Sequence, residues 1–173
     1  SFDEGRKYLA PGLFGPCGYG LPSIVGAKIG QPHVPVVGFA GDGAFGIAVN
    51  ELTAIGRDEW PAVTQIVFRN YQWGAEKRNS TLWFDDNFVG TELDTKVSYA
   101  GIAQACGLLG VQVQTMDELT AVLNQAIKDQ MENNKTTVIE VILNQELGEP
   151  FRRDAMKKPV QVAGVTAADM AAE

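Results

Sequence analysis

The 173-residue sequence predicts an α/β fold, an open parallel sheet with helices on both faces. Two observations carry that prediction. Short apolar, β-branched runs at 33–40 (HVPVVGFA), 62–68 (AVTQIVF) and 137–143 (TVIEVIL) have the continuous hydrophobicity of strands covered on both sides. Between them, apolar residues recur at the three- and four-residue spacing of helices. In chain order, 18–30 (GYGLPSIVGAKIG) reads as a helix through Leu21, Ile24, Val25 and Ile29, and 33–40 as the first strand. Residues 45–57 read as a helix with Phe45, Val49, Leu52 and Ile55 along one side; Trp60-Pro61 breaks it before the second strand at 62–68. Residues 71–90 mix aromatics, charges and Asn without a sustained period, and read as a short helix plus a long functional loop. A helix at 97–109 and a short strand at 111–114 follow. Residues 116–132 form an amphipathic helix through Leu119, Val122, Leu123, Ala126 and Ile127, with Thr115 and Glu118 spaced as a capping box. The last strand is 137–143, residues 1–160 are expected to form one domain, and 161–173 is a polar tail.

Composition narrows the function. Hydrophobic residues are 45% and charged residues 20%, enough apolar material for a core and too little charge for disorder. With 14 Lys and Arg against 21 Asp and Glu, the net charge of −7 argues against a nucleic-acid or anionic-membrane binder. Any anionic ligand must be met by local donors or by a metal. Cys17 and Cys106 are too few for a disulfide framework, so a reducing cytoplasm is expected. No apolar run approaches the roughly 20 residues of a membrane span, and no signal-peptide pattern is present. The start at Ser1 without Met suggests a fragment or processed piece. The single histidine, His33, precedes Val34-Pro35 at a strand start and reads as a surface turn residue, because no carboxylate or nucleophile accompanies it.

The candidate site is Gly41-Asp42-Gly43-Ala44-Phe45-Gly46, which follows a strand and opens a helix. The string satisfies the dinucleotide fingerprint G-x-G-x-x-G. Against that reading, Asp42 sets a carboxylate beside the pyrophosphate, and the next strand ends in Arg69-Asn70 rather than in a ribose-binding acid. Arg69 leaves an NADP reading open. A metal-bridged diphosphate fits better: Asp42 holds Mg²⁺, the helix amides behind it meet phosphate, and Asn70 at the neighbouring strand end offers a second oxygen. A plain tight turn at Gly41-Asp42-Gly43, with Asn70 as a turn or cap residue, is the bland alternative.

GDG, 26 residues and then an Asn closing a strand resembles the diphosphate-binding motif of thiamine-diphosphate enzymes, whose usual form ends in Asn-Asn where this chain has Arg69-Asn70. The stretch GPCGYGLPSIVGAKIG looks like the segment before GDG in the acetolactate-synthase-like branch. NYQWGAEKRNSTLWFDDNFVGTEL (70–93) and EPFRRDAMKKPV (149–160) are similar to the sulfoacetaldehyde acetyltransferase family within it. The resemblance implies the thiamine-diphosphate-binding fold, with thiamine diphosphate and Mg²⁺ as cofactors. It implies Asp42, Asn70 and the backbone carbonyl of Gln72 as metal ligands, and the amides of Gly43 and Ala44 as diphosphate donors. Cys17, Gly18, Gly41, Trp73 and Gly74 are the further cofactor-binding positions, Cys17 standing where a large apolar residue often props the cofactor; a buried small hydrophobe is its structural alternative.

The implied reaction cleaves sulfoacetaldehyde with phosphate to acetyl phosphate and sulfite, in taurine and sulfonate breakdown. Both substrates are anions, for which Lys77, Arg78, Arg152 and Arg153 are the candidate cations, a solvated surface being the alternative for each. Trp73, Trp83 and Phe84 are candidate pocket walls, with burial in the core or at an interface as the alternative. The Glu that activates the cofactor is expected outside this chain, on a pyrimidine-binding domain of the same enzyme or a neighbouring subunit. The isolated chain is therefore expected to be inactive, and the parent enzyme to be a homodimer or homotetramer. An acetolactate-synthase-like carboligase or decarboxylase acting on pyruvate, or a non-catalytic cofactor-binding subunit, are the other readings.

Overall fold

The computed structural model describes residues 7–146. Its elements run α1 (Gly20–Gly30), β1 (Val37–Gly41), α2 (Asp42–Ile47), a 3-10 turn (Val49–Glu51), α3 (Leu52–Ile55), β2 (Thr64–Arg69), α4 (Gly74–Trp83), α5 (Tyr99–Ala105), β3 (Leu109–Val113), α6 (Met116–Glu132) and β4 (Thr137–Ile142). The four strands form one parallel sheet in the order β1-β2-β4-β3. This is the open parallel α/β sheet that the alternating pattern predicts.

Each face of the sheet has its own core. On one, Leu21, Ile24 and Val25 of α1, Phe45 of α2, Leu52 and Ile55 of α3, and Tyr99 and Ala103 of α5 pack on Val63, Val67 and Val138. On the other, Leu119, Val122, Leu123 and Ala126 of α6 pack on Ile66, Ile139, Val141 and Val113. The α6 residues are spaced three and four apart, so they form one stripe along the helix. Full burial of an Ile or Val of this kind contributes about 1.5–3 kcal/mol. Phe39 and Phe68, stacked with centroids 6.3 Å apart, lie on the α6 side of β1 and β2 and stay exposed.

Three boundaries differ from the sequence reading. The first strand starts at Val37 because Pro35 has no N–H, and Val34 N–H is spent in a turn on Gln31 O at 3.2 Å. The helix expected at 45–57 starts earlier, at Asp42, and then breaks into α2, the 3-10 turn and α3. Gly43 and Gly46 weaken the helix, and Ala48 N–H tightens onto Phe45 O at 3.0 Å, yet Leu52 and Ile55 still reach the cluster of Phe45. The helix expected at 97–109 stops at Ala105, and β3 begins at Leu109 instead of 111. Gly107 turns the chain at φ +81°, and Gly110 passes so near α5 that a Cβ would lie 2.0 Å from Ala100 O. Among the described residues no helix is long and apolar enough to cross a membrane.

Candidate functional site

The register pairs Gly41 with Phe68, so Asp42 and Arg69-Asn70 leave neighbouring strands at the same carboxyl edge. Ligand sites of open α/β sheets sit at such edges. Asp42 is buried, and its two carboxylate oxygens have different partners. Oδ1 accepts from Gly43 N–H at 2.9 Å; Oδ2 accepts from Tyr71 N–H at 2.7 Å and lies 3.6 Å from Arg69 Nη1. Its backbone carbonyl accepts from the Tyr99 hydroxyl at 2.9 Å. Burial pushes the Asp42 carboxyl above its ordinary value, against the opposing pull of the Tyr71 and Gly43 amides and the Arg69 charge.

Tyr71 adopts φ +60°, a left-handed conformation uncommon for a residue with a side chain. That turn points its N–H at Asp42 and brings the next carbonyl back towards Asn70. The Asn70 amide faces two acceptors, Gln72 O at 3.1 Å and Asp42 Oδ1 at 3.2 Å. Turned one way, the amide donates to both; turned the other, its oxygen joins theirs in a cluster of three oxygens. Octahedral Mg²⁺ holds oxygens at 2.0–2.1 Å, which puts adjacent ligands about 3 Å apart. The donor set of one carboxylate, one amide and one carbonyl suits a hard cation, and the two spacings from the Asn70 amide match. Among the described residues no three of His, Cys, Asp and Glu converge as a metal cluster.

The surrounding residues keep this turn in place. Gln72 bridges to Glu92, with Trp73 N–H on Thr91 O at 2.8 Å and Leu93 N–H on Tyr71 O at 2.9 Å. The buried Gln72 side chain donates to Gln145 O at 2.8 Å, while its Oε1 has no partner. Half-buried Trp73 lies across Gly43, where an added Cβ would meet the ring at 2.8 Å. Gly74 then opens α4, Gly41 is the N-cap of α2, and Ala44 lies in its first turn. Gly18, at φ +87°, packs against Ile47 at the other end of α2. Cys17 beside it is exposed, which corrects the reading of a buried small hydrophobe: the turn at Gly18 directs it outward.

The candidate cations fare differently. Lys77 is ion-paired with Glu92 and lies 5.2 Å from the Phe88 ring centroid, so its charge is engaged. That pairing holds the Glu92 carboxyl below its ordinary value. Arg78 is half-buried on α4, and Arg152 and Arg153 lie outside the described residues. Trp83 and Phe84 are exposed beyond the site, and His33 is exposed in a turn, as expected of a surface residue.

Arg69 cannot serve an NADP phosphate. It is 1% exposed, its Nε is 3.1 Å from Glu140 Oε1, and its Nη2 donates to Asp94 O at 2.8 Å and Val97 O at 2.7 Å. The Tyr71 and Tyr99 rings flank its guanidinium at 4.5 and 5.0 Å. Sequence reasoning missed Glu140 and Tyr99. The available signal was a charged residue amid the apolar run TVIEVIL, since a buried carboxylate demands a partner.

A sheet whose strand ends carry this oxygen cluster defines a cofactor-binding α/β domain, and comparison with known proteins gives its family. The profile described as "Thiamine pyrophosphate enzyme, C-terminal TPP binding domain" matches residues 1–141, and the chain belongs to this family. A sulfoacetaldehyde acetyltransferase from Roseovarius nubinhibens is 81% identical over 98% of this chain, and one from Rhodobacter capsulatus is 75% identical over the same share. The chain spans 28% and 29% of those proteins' lengths. Among solved structures, the thiamine-diphosphate-dependent 4-hydroxybenzoylformate decarboxylase of Rhodococcus jostii superposes with a TM-score of 0.65 at 27% identity, over 76% of this chain and 24% of that one.

Proposed function

We propose that this chain is the diphosphate- and Mg²⁺-holding domain of a larger cytoplasmic enzyme that converts sulfoacetaldehyde and phosphate to acetyl phosphate and sulfite. The observation that carries the cofactor half of this reading is the Asn70 amide lying 3.1 Å from Gln72 O and 3.2 Å from Asp42 Oδ1. The substrate half is supported by the 81% and 75% identity to proteins named for that reaction. Asp42, Asn70 and Gln72 hold the cation, and the first-turn amides of α2 at Gly43 and Ala44 are the diphosphate donors, the Gly43 N–H being shared with Asp42 Oδ1 at 2.9 Å. Cys17, Gly18, Gly41, Trp73 and Gly74 border the cofactor. Thiamine diphosphate supplies, when bound, the carbanion and electron sink that the reaction needs.

The protein's share is binding and orientation. Asp42, one negative charge in a buried setting, anchors the cation and through it the diphosphate. Trp73 over Gly43 shields that contact from water. The activating Glu belongs to a pyrimidine-binding domain elsewhere in the enzyme or on a neighbouring subunit, so the working unit is a homodimer or homotetramer. The proposed domain is residues 1–160, followed by a polar tail at 161–173; residues 1–6 and 147–173 lie outside the described residues. The candidates for meeting sulfonate and phosphate are Lys77, ion-paired with Glu92, together with Arg78, Arg152 and Arg153. The deciding experiment supplies the full-length enzyme with sulfoacetaldehyde, phosphate, thiamine diphosphate and Mg²⁺. Sulfite and acetyl phosphate in equal amounts are expected; carbon dioxide from pyruvate without sulfite would transfer the domain to the acetolactate-synthase reaction. The 173-residue chain alone is expected to show no turnover.

A further inference from the structure

The cluster behind Asp42 contains more charge than ligand binding requires. Asp42, Arg69 and Glu140 are each 0–1% exposed, and together they form a chain of charges from the start of α2 through β2 to β4. Glu140, whose Oε1 lies 3.1 Å from Arg69 Nε, is itself held through its other oxygen. Glu140 Oε2 accepts from Ser98 Oγ at 3.1 Å, Ala100 N–H at 3.1 Å and Gln112 Nε2 at 3.0 Å. The Asp94 and Val97 carbonyls receive Nη2, and the Tyr71 and Tyr99 rings flank the guanidinium. Arg69 therefore has one position, with Nη1 turned towards Asp42 Oδ2. Tyr71 N–H occupies the same oxygen. Oδ1, which accepts from Gly43 N–H at 2.9 Å, is the oxygen 3.2 Å from the Asn70 amide.

From this geometry we infer that Arg69, locked by Glu140, is a positioning residue that restricts Asp42 to one-oxygen ligation and so biases the site towards small octahedral cations. The inference rests on the reading of Asp42, Asn70 and Gln72 as cation ligands. Mg²⁺ takes six oxygens in strict geometry, whereas Ca²⁺ takes six to eight and readily draws both oxygens of a carboxylate. A carboxylate with Oδ2 tied to an arginine and an amide cannot swing to offer both. Without Arg69, Oδ2 keeps only the Tyr71 N–H and has a lone pair to offer a larger cation.

The test uses the full-length enzyme and measures thiamine diphosphate binding by calorimetry as a function of Mg²⁺ or Ca²⁺. Deleting Arg69 alone strands a buried Glu140 and risks the fold, so the variants are Arg69→Met paired with Glu140→Gln, and Arg69→Lys. Groups behind a ligand typically change metal affinity about 10–100-fold. The expected result is that the Ca²⁺-to-Mg²⁺ affinity ratio rises about tenfold in the paired variant, within the range for groups behind a ligand, and returns most of the way in Arg69→Lys. A purely structural role weakens both cations alike, and a purely repulsive charge strengthens both alike; an unchanged ratio overturns the inference. Should the paired variant not fold, the wild-type crystal structure with Ca²⁺ and thiamine diphosphate decides: Asp42 bound through Oδ1 alone supports it, and bidentate Asp42 overturns it. Wild-type binding that needs no divalent cation would instead sink the underlying reading of the site.

Discussion

Two strand-to-helix junctions in this sheet perform the same topological step with opposite chemistry. At β3–α6, Thr115 Oγ1 accepts from Glu118 N–H at 3.2 Å, and the Glu118 carboxylate accepts from Thr115 N–H at 3.1 Å and Gln114 N–H at 2.7 Å. The free amides of the helix start are satisfied by its own side chains, and a helix of 17 residues follows. At β1–α2 the N-cap is Gly41, no side chain caps the helix, and α2 lasts six residues. The one acidic side chain there, Asp42, takes the Gly43 N–H of its own first turn and otherwise reaches across to Tyr71 and Asn70. One junction is closed upon itself; the other leaves donors and a buried charge for something else. A missing side-chain N-cap, together with a desolvated acid, separates the junction proposed to bind from the structural one.

Substitutions sharpen this contrast. Asp42→Asn is expected to lower Mg²⁺-dependent thiamine diphosphate affinity by more than about 100-fold, the upper end seen even for groups that merely support a ligand. Its metal-free melting temperature is expected to hold or rise, because a desolvated charge is removed; a drop in stability beside unchanged cofactor binding would erase the distinction between the junctions. Gly43→Ala drives a Cβ to 2.8 Å from the Trp73 ring. Overpacking of this kind costs roughly 1–3 kcal/mol, readable by urea denaturation. Thr115→Ala is expected to cost about 1 kcal/mol and to leave cofactor affinity unchanged.

The smallest effect is in pH. The Gln114 and Thr115 amides hold the Glu118 carboxyl below its ordinary value, so the unfolded chain binds its proton more tightly than the folded one. Its stabilisation is complete above the ordinary glutamate pKa and is lost as pH falls through the lowered folded value. Asp42 has the reverse sign in the metal-free protein: burial raises its folded pKa, so its contribution declines as pH climbs from the ordinary aspartate value through the raised one. Melting temperatures of Glu118→Gln and Asp42→Asn, each subtracted from wild type across the acidic range, are expected to slope in opposite directions.

Local signals in the sequence show one junction in full and half of the other. The capping box needs only Thr115 and Glu118, three residues apart, and both bonds form. The GDG turn and Asn70 were legible because two strand ends could be counted from hydrophobic runs. The Arg69–Glu140 pair was not, since it requires β4 rather than β3 beside β2, with Val67 opposite Glu140. A pairing 71 residues apart in sequence leaves no periodic trace. The break after Ile47 was equally hidden, because Phe45, Val49, Leu52 and Ile55 keep a helical spacing across it. Lys77 read as an available cation because Glu92, its partner, arrives from a loop whose path only the Gln72–Glu92 bridge defines.

The ring of Trp73 on Gly43 gives the molecule an optical gauge at the point where it matters. The sequence has three tryptophans. Trp60 lies near Asn134 at the opposite end of the strands, and Trp83 is exposed at the end of α4. Phenylalanine at 60 and 83 would leave a single emitter whose face touches the residue beside Asp42. Its emission maximum and quenching by iodide would then follow events at that one turn, with no label attached.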